Sequence, residues 1–128
     1  MTTKSSDPRK TILLVEDEGI VLLSLQMGLE EFGYQVITAL NGADALQQYA
    51  QHKDEIALVL TDMTMPGMDG LALLEALRAQ SPQLKIILMT GHLLDTDSLS
   101  LRKHKPTRRV MKPIGINELS RIIKETLA

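Results

Sequence analysis

Short apolar runs alternate with helical patterns along the chain, and this alternation restricts the fold more than any other feature. Each run holds 4 to 6 residues, the usual length of a buried strand. Strands that alternate with helices predict a parallel sheet covered on both faces, because a parallel connection needs a crossover. The predicted strands are Thr11–Val15, Gln35–Ala39, Ala57–Thr61, Lys85–Thr90 and Arg108–Met111.

Five helices are predicted from apolar residues spaced three and four positions apart. The first, Gly19–Phe32, shows a broad apolar stripe formed by Ile20, Leu23 and Met27, with Val21, Leu25, Leu29 and Phe32 alongside. Asn41 is expected to cap the second helix, because its side chain can accept a hydrogen bond from the first turn. This second helix is predicted to end near Gln51. The other helices are predicted over Gly70–Ala79, over Leu93–His104, and from Ile116 with Gly115 as the N-cap.

Composition and charge exclude several classes of protein. Hydrophobic residues make up 44% of the 128 residues, which is typical of one globular domain. The net charge of −2 predicts no direct nucleic-acid binding, and no apolar run approaches the roughly 20 residues that span a bilayer. The absence of cysteine excludes disulfide bonds and is compatible with the cytoplasm. The polar stretch Met1–Lys10 is predicted to be a flexible leader, followed by one domain over residues 11–128.

Chemically reactive residue types follow four of the predicted strands. An apolar run ends abruptly in Asp62, Glu16 and Asp17 follow the first strand, Thr90 ends the fourth, and Lys112 follows the fifth. The carboxyl ends of parallel strands meet at one edge of the sheet, which is where open α/β sheets bind ligands. The sequence therefore predicts that these five side chains lie close together.

Three carboxylates gathered in one cleft repel one another, and a hard divalent cation such as Mg²⁺ relieves that repulsion. A carboxylate beside the metal can attack a phosphoryl group, while a hydroxyl and an ammonium stabilise the phosphoryl oxygens. Thr90 and Lys112 suit those two roles. Taken singly, Asp62 is also explained as a turn residue, and Glu16 and Asp17 as acids at a helix N-terminus. Five matching residue types at four strand ends favour the site.

Four short motifs contain the five candidate residues: Leu14-Val-Glu-Asp17, Leu60-Thr-Asp62-Met-Thr-Met-Pro-Gly-Met-Asp-Gly70, Met89-Thr-Gly91 and Met111-Lys-Pro113. Through these motifs the chain resembles, over about residues 10–128, the receiver domains of two-component response regulators. The resemblance implies a doubly wound, flavodoxin-like α/β fold of five βα units, with strand order 2-1-3-4-5. It also implies a signalling module that promotes its own phosphorylation and dephosphorylation and has no metabolic substrate.

The resemblance further assigns roles to the residues of the site. It implies that Asp62 accepts a phosphoryl group from a phosphohistidine on a histidine kinase or a histidine phosphotransfer protein. Mg²⁺ would be bound by Asp17, Asp62 and the backbone carbonyl of Thr64, with Glu16 acting through water. Thr90 would donate a hydrogen bond to the phosphoryl group, Lys112 would pair with it, and the Lys112–Pro113 peptide bond would be cis.

The chain departs from the family where receivers usually carry an aromatic residue, three positions before the lysine. Arg109 stands there, and an arginine cannot bury as a ring does. The usual switching movement is therefore not expected. A basic patch surrounds this position, interpreted as a solvated helix end or as a site for an acidic protein partner: Arg102, Lys103, His104, Lys105, Arg108 and Arg109. Two further positions beside the site, Thr64 and His92, tune acyl phosphate lifetime in the family.

Three other functions are weighed against phosphoacceptance. A docking module of the same fold that is never phosphorylated remains an alternative, supported by Arg109. A phosphatase of the haloacid dehalogenase type would require a second aspartate two residues after the nucleophile, where this chain has Thr64, and is therefore disfavoured. Flavin binding is disfavoured because aromatic residues make up only 2% of the chain. The cognate kinase and the output partner stay open, as does the choice between a free-standing regulator and a receiver from a hybrid sensor kinase.

Overall fold

Five parallel strands form one sheet in the computed structural model, which describes residues 10–63, 67–91 and 105–128. The strands are β1 (Thr11–Val15), β2 (Gln35–Ala39), β3 (Ile56–Asp62), β4 (Lys85–Thr90) and β5 (Arg108–Met111). Their order across the sheet is β2-β1-β3-β4-β5, which confirms the predicted strand order and the flavodoxin-like α/β class. The strand order reverses between β1 and β3, and such a reversal creates a crevice at the carboxyl ends of the strands.

Four helices lie within the described residues: α1 (Gly19–Glu31), α2 (Gly42–His52), α3 (Gly70–Gln80) and α4 (Ile116–Leu127). Asn41 caps α2 as predicted, since its Oδ1 accepts from the Asp44 N–H at 2.7 Å. Asp69 caps α3 in the same way, accepting from the Ala72 N–H at 2.9 Å. The helix predicted over 93–104 and most of the predicted leader lie outside the described residues.

The helices cover both faces of the sheet, and the central strands are buried on both sides. Side chains alternate along β1, so that Ile12 and Leu14 join the core under α1 and α4, whereas Leu13 and Val15 join the core under α2 and α3. This alternation is the period-two geometry of a strand. Because both faces of a central parallel strand are buried, the sequences of these strands are continuous apolar runs.

The face of α1 that packs on the sheet is only partly the one predicted: Leu29 of the predicted stripe is buried, but the three residues named first in it are exposed. Leu22 and Leu29 are its buried residues, whereas Ile20, Leu23 and Met27 are 86%, 57% and 58% exposed. The prediction was wrong for these three residues because α1 carries two apolar stripes with the same spacing, and one helix face holds only one against a sheet. The stripe containing Leu22 and Leu29 is the one that faces the sheet. None of the helices in the described part of the chain is long and apolar enough to span a membrane.

Candidate metal and phosphoryl site

Three acidic side chains meet at the carboxyl edge of the sheet, as predicted. The register pairs Val15 of β1 with Thr61 of β3, so the acids that follow β1 come level with Asp62 at the end of β3. One carboxylate oxygen from each of Glu16, Asp17 and Asp62 lies within 4.8 Å of the other two. Strand register therefore concentrates negative charge at this edge before any ligand is considered.

Glu16 is the most deeply placed of the three acids. Its side chain is fully buried, its Oε2 accepts from the Glu18 N–H at 3.2 Å, and its Oε1 has no hydrogen-bond partner among the described residues. Lys112 Nζ lies 3.9 Å from that oxygen, within ion-pair range but too far for a hydrogen bond. Burial raises the pKa of the Glu16 carboxyl. The Glu18 N–H opposes this rise, the charge of Asp62 adds to it, and Lys112 opposes it.

Asp62 is buried beside the ammonium group of Lys112. Only 6% of the residue is exposed, and its Oδ2 lies 3.3 Å from Lys112 Nζ. The chain turns tightly behind it, since the Gly70 N–H donates to the Met63 carbonyl at 2.8 Å. A Cβ on Gly70 would lie 2.6 Å from the Asp62 carbonyl oxygen. Glycine therefore lets the start of α3 approach the end of β3. Gly70 was predicted only as a helix start, and the Asp69-Gly70 pair at the N-terminus of α3 does not by itself indicate this contact.

Thr90 and Lys112 reach the same edge from β4 and β5. The register pairs Asp62 with Met89, which places Thr90 one position further along the neighbouring strand, where it is buried. The Lys112 N–H donates to the Thr90 carbonyl at 2.8 Å, and the Lys112–Pro113 bond is cis, as the resemblance implies. Of the predicted site residues, only Thr64 lies outside the described part of the chain, as does His92 beside the site.

The donor set suits a hard divalent cation. Carboxylate oxygens are the ligands that Mg²⁺ takes from proteins, together with waters and phosphate oxygens. Three acidic groups face one ammonium here, and one buried oxygen of Glu16 lacks a hydrogen-bond partner in the described structure. An added cation at this edge would offset the repulsion and the desolvation that raise the Glu16 pKa. The residues present therefore fit a Mg²⁺ site.

Beside the cluster lies an open pocket of about 560 Å³. Its walls are largely apolar, and it reaches the cluster at Asp17, so the metal side of the cluster is open to an incoming group. This pocket was not predicted from the sequence, because its walls come from three separate segments, which follow β1, β2 and β3. It is lined by Asp17, Leu40, Asn41, Ala43, Gly67 and Met68.

The basic patch is described only in part. Arg109 and Lys105 are exposed, and Arg108 Nη1 lies 3.4 Å from Glu125 Oε1 of α4. The other residues of the patch, Arg102, Lys103 and His104, lie outside the described residues. The exposed side chain of Arg109 agrees with the expectation that an arginine does not bury at this position.

Known proteins resemble the chain over nearly all of its length. The sensor kinase CckA of Brucella abortus is 34% identical over 117 residues, which are 91% of this chain and 12% of the kinase. The transcriptional regulatory protein PrrA of Mycobacterium tuberculosis is 32% identical over 99% of this chain and 53% of that protein. The chain thus spans about half of one relative and about an eighth of the other.

Solved structures agree with these sequence relatives. A receiver domain protein from Methanospirillum hungatei matches with a TM-score of 0.80 and 34% identity, over 93% of this chain and 94% of that one. The response regulator TrrA of Thermotoga maritima, solved in complex with Mg²⁺-BeF, matches with a TM-score of 0.82 and 32% identity, over 91% of this chain and 98% of that one. The response regulator receiver domain family itself matches residues 12–124, and the chain belongs to that family.

Proposed function

We propose that this chain accepts a phosphoryl group on Asp62 from a phosphohistidine of a histidine kinase or histidine phosphotransfer protein. An Asp62 carboxylate oxygen forms the new bond to phosphorus while the bond from phosphorus to the imidazole nitrogen breaks. The imidazole keeps the electron pair and takes up a proton. The observation that carries this proposal is the buried Asp62 carboxylate within the acidic cluster, with an ammonium 3.3 Å away.

Mg²⁺ is the proposed cofactor, held by the carboxylates of Asp17 and Asp62, by the backbone carbonyl of Thr64, and by Glu16 through a water molecule. When bound, it neutralises charge on the phosphoryl oxygens and so lowers the repulsion between them and the acids. Support comes from the donor set and from TrrA, a relative solved with Mg²⁺-BeF.

Two further side chains of this chain act on the phosphoryl group. Lys112 neutralises developing negative charge, because its ammonium already lies beside the accepting carboxylate. Thr90 contributes a hydroxyl from the adjacent strand end. We place no metabolic substrate in the site: the acyl phosphate forms and is then hydrolysed, and its presence alters the binding of a partner.

The exposed stripe of α1, defined by Ile20, Leu23 and Met27, is the proposed docking surface for the phosphodonor. It begins three residues after Asp17 and runs away from the acidic cluster along the outside of α1. A phosphohistidine must reach Asp62 from outside, and apolar side chains next to the point of entry can bind a complementary apolar face of the donor. The continuity of this stripe with the site favours the phosphodonor as its occupant.

The basic patch remains a separate proposal, as a site for an acidic protein partner. Arg109 and Lys105 supply exposed positive charge, while Arg108 is already paired with Glu125. Net charge argues against nucleic acid as the partner. Charge reversal at Arg109 that leaves partner binding unchanged would exclude the patch.

Intact-mass spectrometry after incubation with acetyl phosphate tests the function. We expect one phosphoryl adduct on the parent, none without Mg²⁺, and none on Asp62→Asn. Asp69→Asn is the matched control, because asparagine caps a helix as well as aspartate does and Asp69 serves as the cap of α3. If the parent gains no adduct although Mg²⁺ binding is measured separately, the chain is instead a docking module.

A further inference from the structure

Arg78 joins three segments at the end of the sheet opposite the acidic cluster. It lies in the last turn of α3, and its guanidinium donates to the carbonyls of Pro82, at 3.3 Å, and Leu84, which lead into β4. It also donates to the Lys105 carbonyl and to the Thr107 hydroxyl, each at 3.2 Å. One side chain thus links α3, the start of β4 and the residues that lead into β5.

Thr107 extends this link into the sheet. Its hydroxyl accepts from the Ile86 N–H at 2.9 Å, and its own N–H donates to the Ile86 carbonyl at 2.7 Å. The pairing of β5 with β4 begins one residue later, at Ile87 and Arg108. Arg78 and Thr107 together therefore set where β5 enters the sheet.

Within the described residues, β5 has few contacts besides its ladder with β4. It is an edge strand of four residues that pairs only with β4, and Val110 is its one buried residue. Hydrogen bonds from a charged donor are about twice as strong as neutral ones. Partial burial of the guanidinium, which lowers the Arg78 pKa, also limits competition from water. The Arg78 contacts are therefore a substantial share of what fixes the start of this strand.

At its other end β5 delivers Lys112 to the acidic cluster. A strand advances about 3.3 Å per residue, so even a partial shift of β5 would break the 3.3 Å contact between Lys112 Nζ and Asp62 Oδ2. The carboxylates themselves follow β1 and β3 and do not depend on β5. Displacement of β5 would thus move the ammonium and leave the metal ligands in place.

We propose that Arg78 is a positioning residue for Lys112: by fastening the start of β5 it holds the ammonium against Asp62 from the far end of the sheet. The consequence for phosphoryl transfer rests on the proposed function of Asp62. The consequence for the placement of Lys112 does not, and it can be measured separately.

The test compares Arg78→Met, which keeps the aliphatic stem but no donor, with Thr107→Val as the milder variant. We expect faster hydrogen exchange at the Lys112 amide, with exchange in β1 and β3 unchanged. We expect phosphorylation by acetyl phosphate at saturating Mg²⁺ to slow by about tenfold, since a displacement of about 1 Å can cost up to ~10²-fold. The dissociation constant for Mg²⁺ should stay the same.

Tyr49→Phe is the matched control. It removes the 2.7 Å hydrogen bond from Tyr49 to Ser81, which lies at the same end of α3 but does not touch β5. An equal loss of phosphorylation rate in this control, or a parallel loss of Mg²⁺ affinity in Arg78→Met, would mean that Arg78 only contributes to overall stability. Either result would overturn the proposal. Unchanged exchange at Lys112 in both variants would overturn it as well. If the parent takes no phosphoryl group, the proposed function fails and the Lys112 amide alone decides the positioning role.

Discussion

The ammonium nitrogen of Lys112 lies 3.3 Å from Oδ2 of Asp62, although 50 positions separate the two residues in sequence. The strands that deliver them are not neighbours, because β4 lies between β3 and β5. Lys112 therefore reaches across the end of β4, past Thr90, whose carbonyl accepts from its backbone N–H. Three adjacent strands, β3, β4 and β5, thus bring the carboxylate and the ammonium together, so the contact depends on the alignment of this half of the sheet.

Replacing Lys112 by methionine should slow phosphorylation of Asp62 by about 10²-fold, the usual cost of removing one donor that stabilises transition-state charge. The variant keeps most of the side-chain volume and loses only the ammonium. Mg²⁺ binding should be retained or strengthened, since the acids lose their positive neighbour. The measurement is the rate of adduct formation with acetyl phosphate, followed by mass spectrometry, alongside a Mg²⁺ titration.

Lys124→Met serves as the control for that variant, because Lys124 is an exposed lysine of α4 remote from the cluster. It should leave both the rate and the Mg²⁺ affinity at the parent values. A Lys112→Met variant that is phosphorylated as fast as the parent would show that the ammonium does not act on the phosphoryl group.

Glu16→Gln should stabilise the metal-free protein at neutral pH by about 1 kcal/mol, the lower range for a buried polar group left unsatisfied. The Glu16 pKa is raised above its ordinary 4.5 in the folded chain, with burial as the main cause. A carboxyl of this kind supports folding while protonated, and this support is lost as the pH rises from 4.5 through the raised value. Glutamine does not ionise and so avoids the loss.

Urea unfolding across that pH range measures the effect. The difference in unfolding free energy between Glu16→Gln and the parent should vanish below pH 4.5 and shrink when Mg²⁺ is added. Glu31→Gln, at an exposed position of α1, should follow the parent throughout. Loss of stability in Glu16→Gln without metal would contradict the account of a buried, uncompensated charge.

Most of the fold was predictable because apolar residues repeat with different periods in strands and in helices, and because turn-forming residues separate these elements. The runs at 85–90 and 108–111 were predicted to the residue, and Asn41 was identified as a cap. The buried face of α1 was only partly predicted, because Leu22 and Met27 belong to stripes of equal periodicity. The spacing of apolar residues in the sequence identifies each stripe on the helix. Which of the two stripes faces the sheet depends on how the helix packs on it. The cluster followed from topology, because parallel strand ends meet at one edge.

The same exposed stripe leads to a prediction about the phosphodonor. The double variant Leu23→Ser, Met27→Ser should accept phosphoryl from acetyl phosphate at the parent rate, since it leaves the acidic cluster intact. Transfer from a phosphorylated histidine phosphotransfer protein is different, because truncating an interface side chain that acts as a hot spot costs ~2 kcal/mol or more. We expect transfer from a phosphotransfer protein shown to phosphorylate the parent chain to slow by at least about tenfold.

Phe32→Ser provides the comparison, since Phe32 is also an exposed apolar residue, 48% accessible, but lies past the far end of α1. It should change neither rate. Equal transfer rates from the protein donor in the double variant and the parent would mean that the stripe is not the docking surface. Unfolding free energies should stay within about 0.5 kcal/mol of the parent, as for exposed positions generally.

Gly70→Ala should disturb the site through the backbone. The new Cβ would lie 2.6 Å from the Asp62 carbonyl oxygen and 2.7 Å from the Met63 Cα, and neither is the tip of a flexible side chain. The start of α3 must then move away from the end of β3, at a cost of about 1–3 kcal/mol for overpacking. Asp62 should shift with it, so that Mg²⁺ affinity and phosphorylation rate fall together, unlike in Lys112→Met.

Gly19→Ala separates this effect from helix propensity. Gly19 is also the first residue of its helix, and a Cβ there meets nothing within 4 Å. Alanine should therefore be neutral or stabilise by up to about 1 kcal/mol, through the smaller entropy of the unfolded chain. If urea unfolding gave both variants the same stability and Mg²⁺ titration the same affinity, the close approach at Gly70 would not matter. A selective loss at Gly70 would mean that the geometry of Asp62 depends on the packing of backbone against backbone behind it.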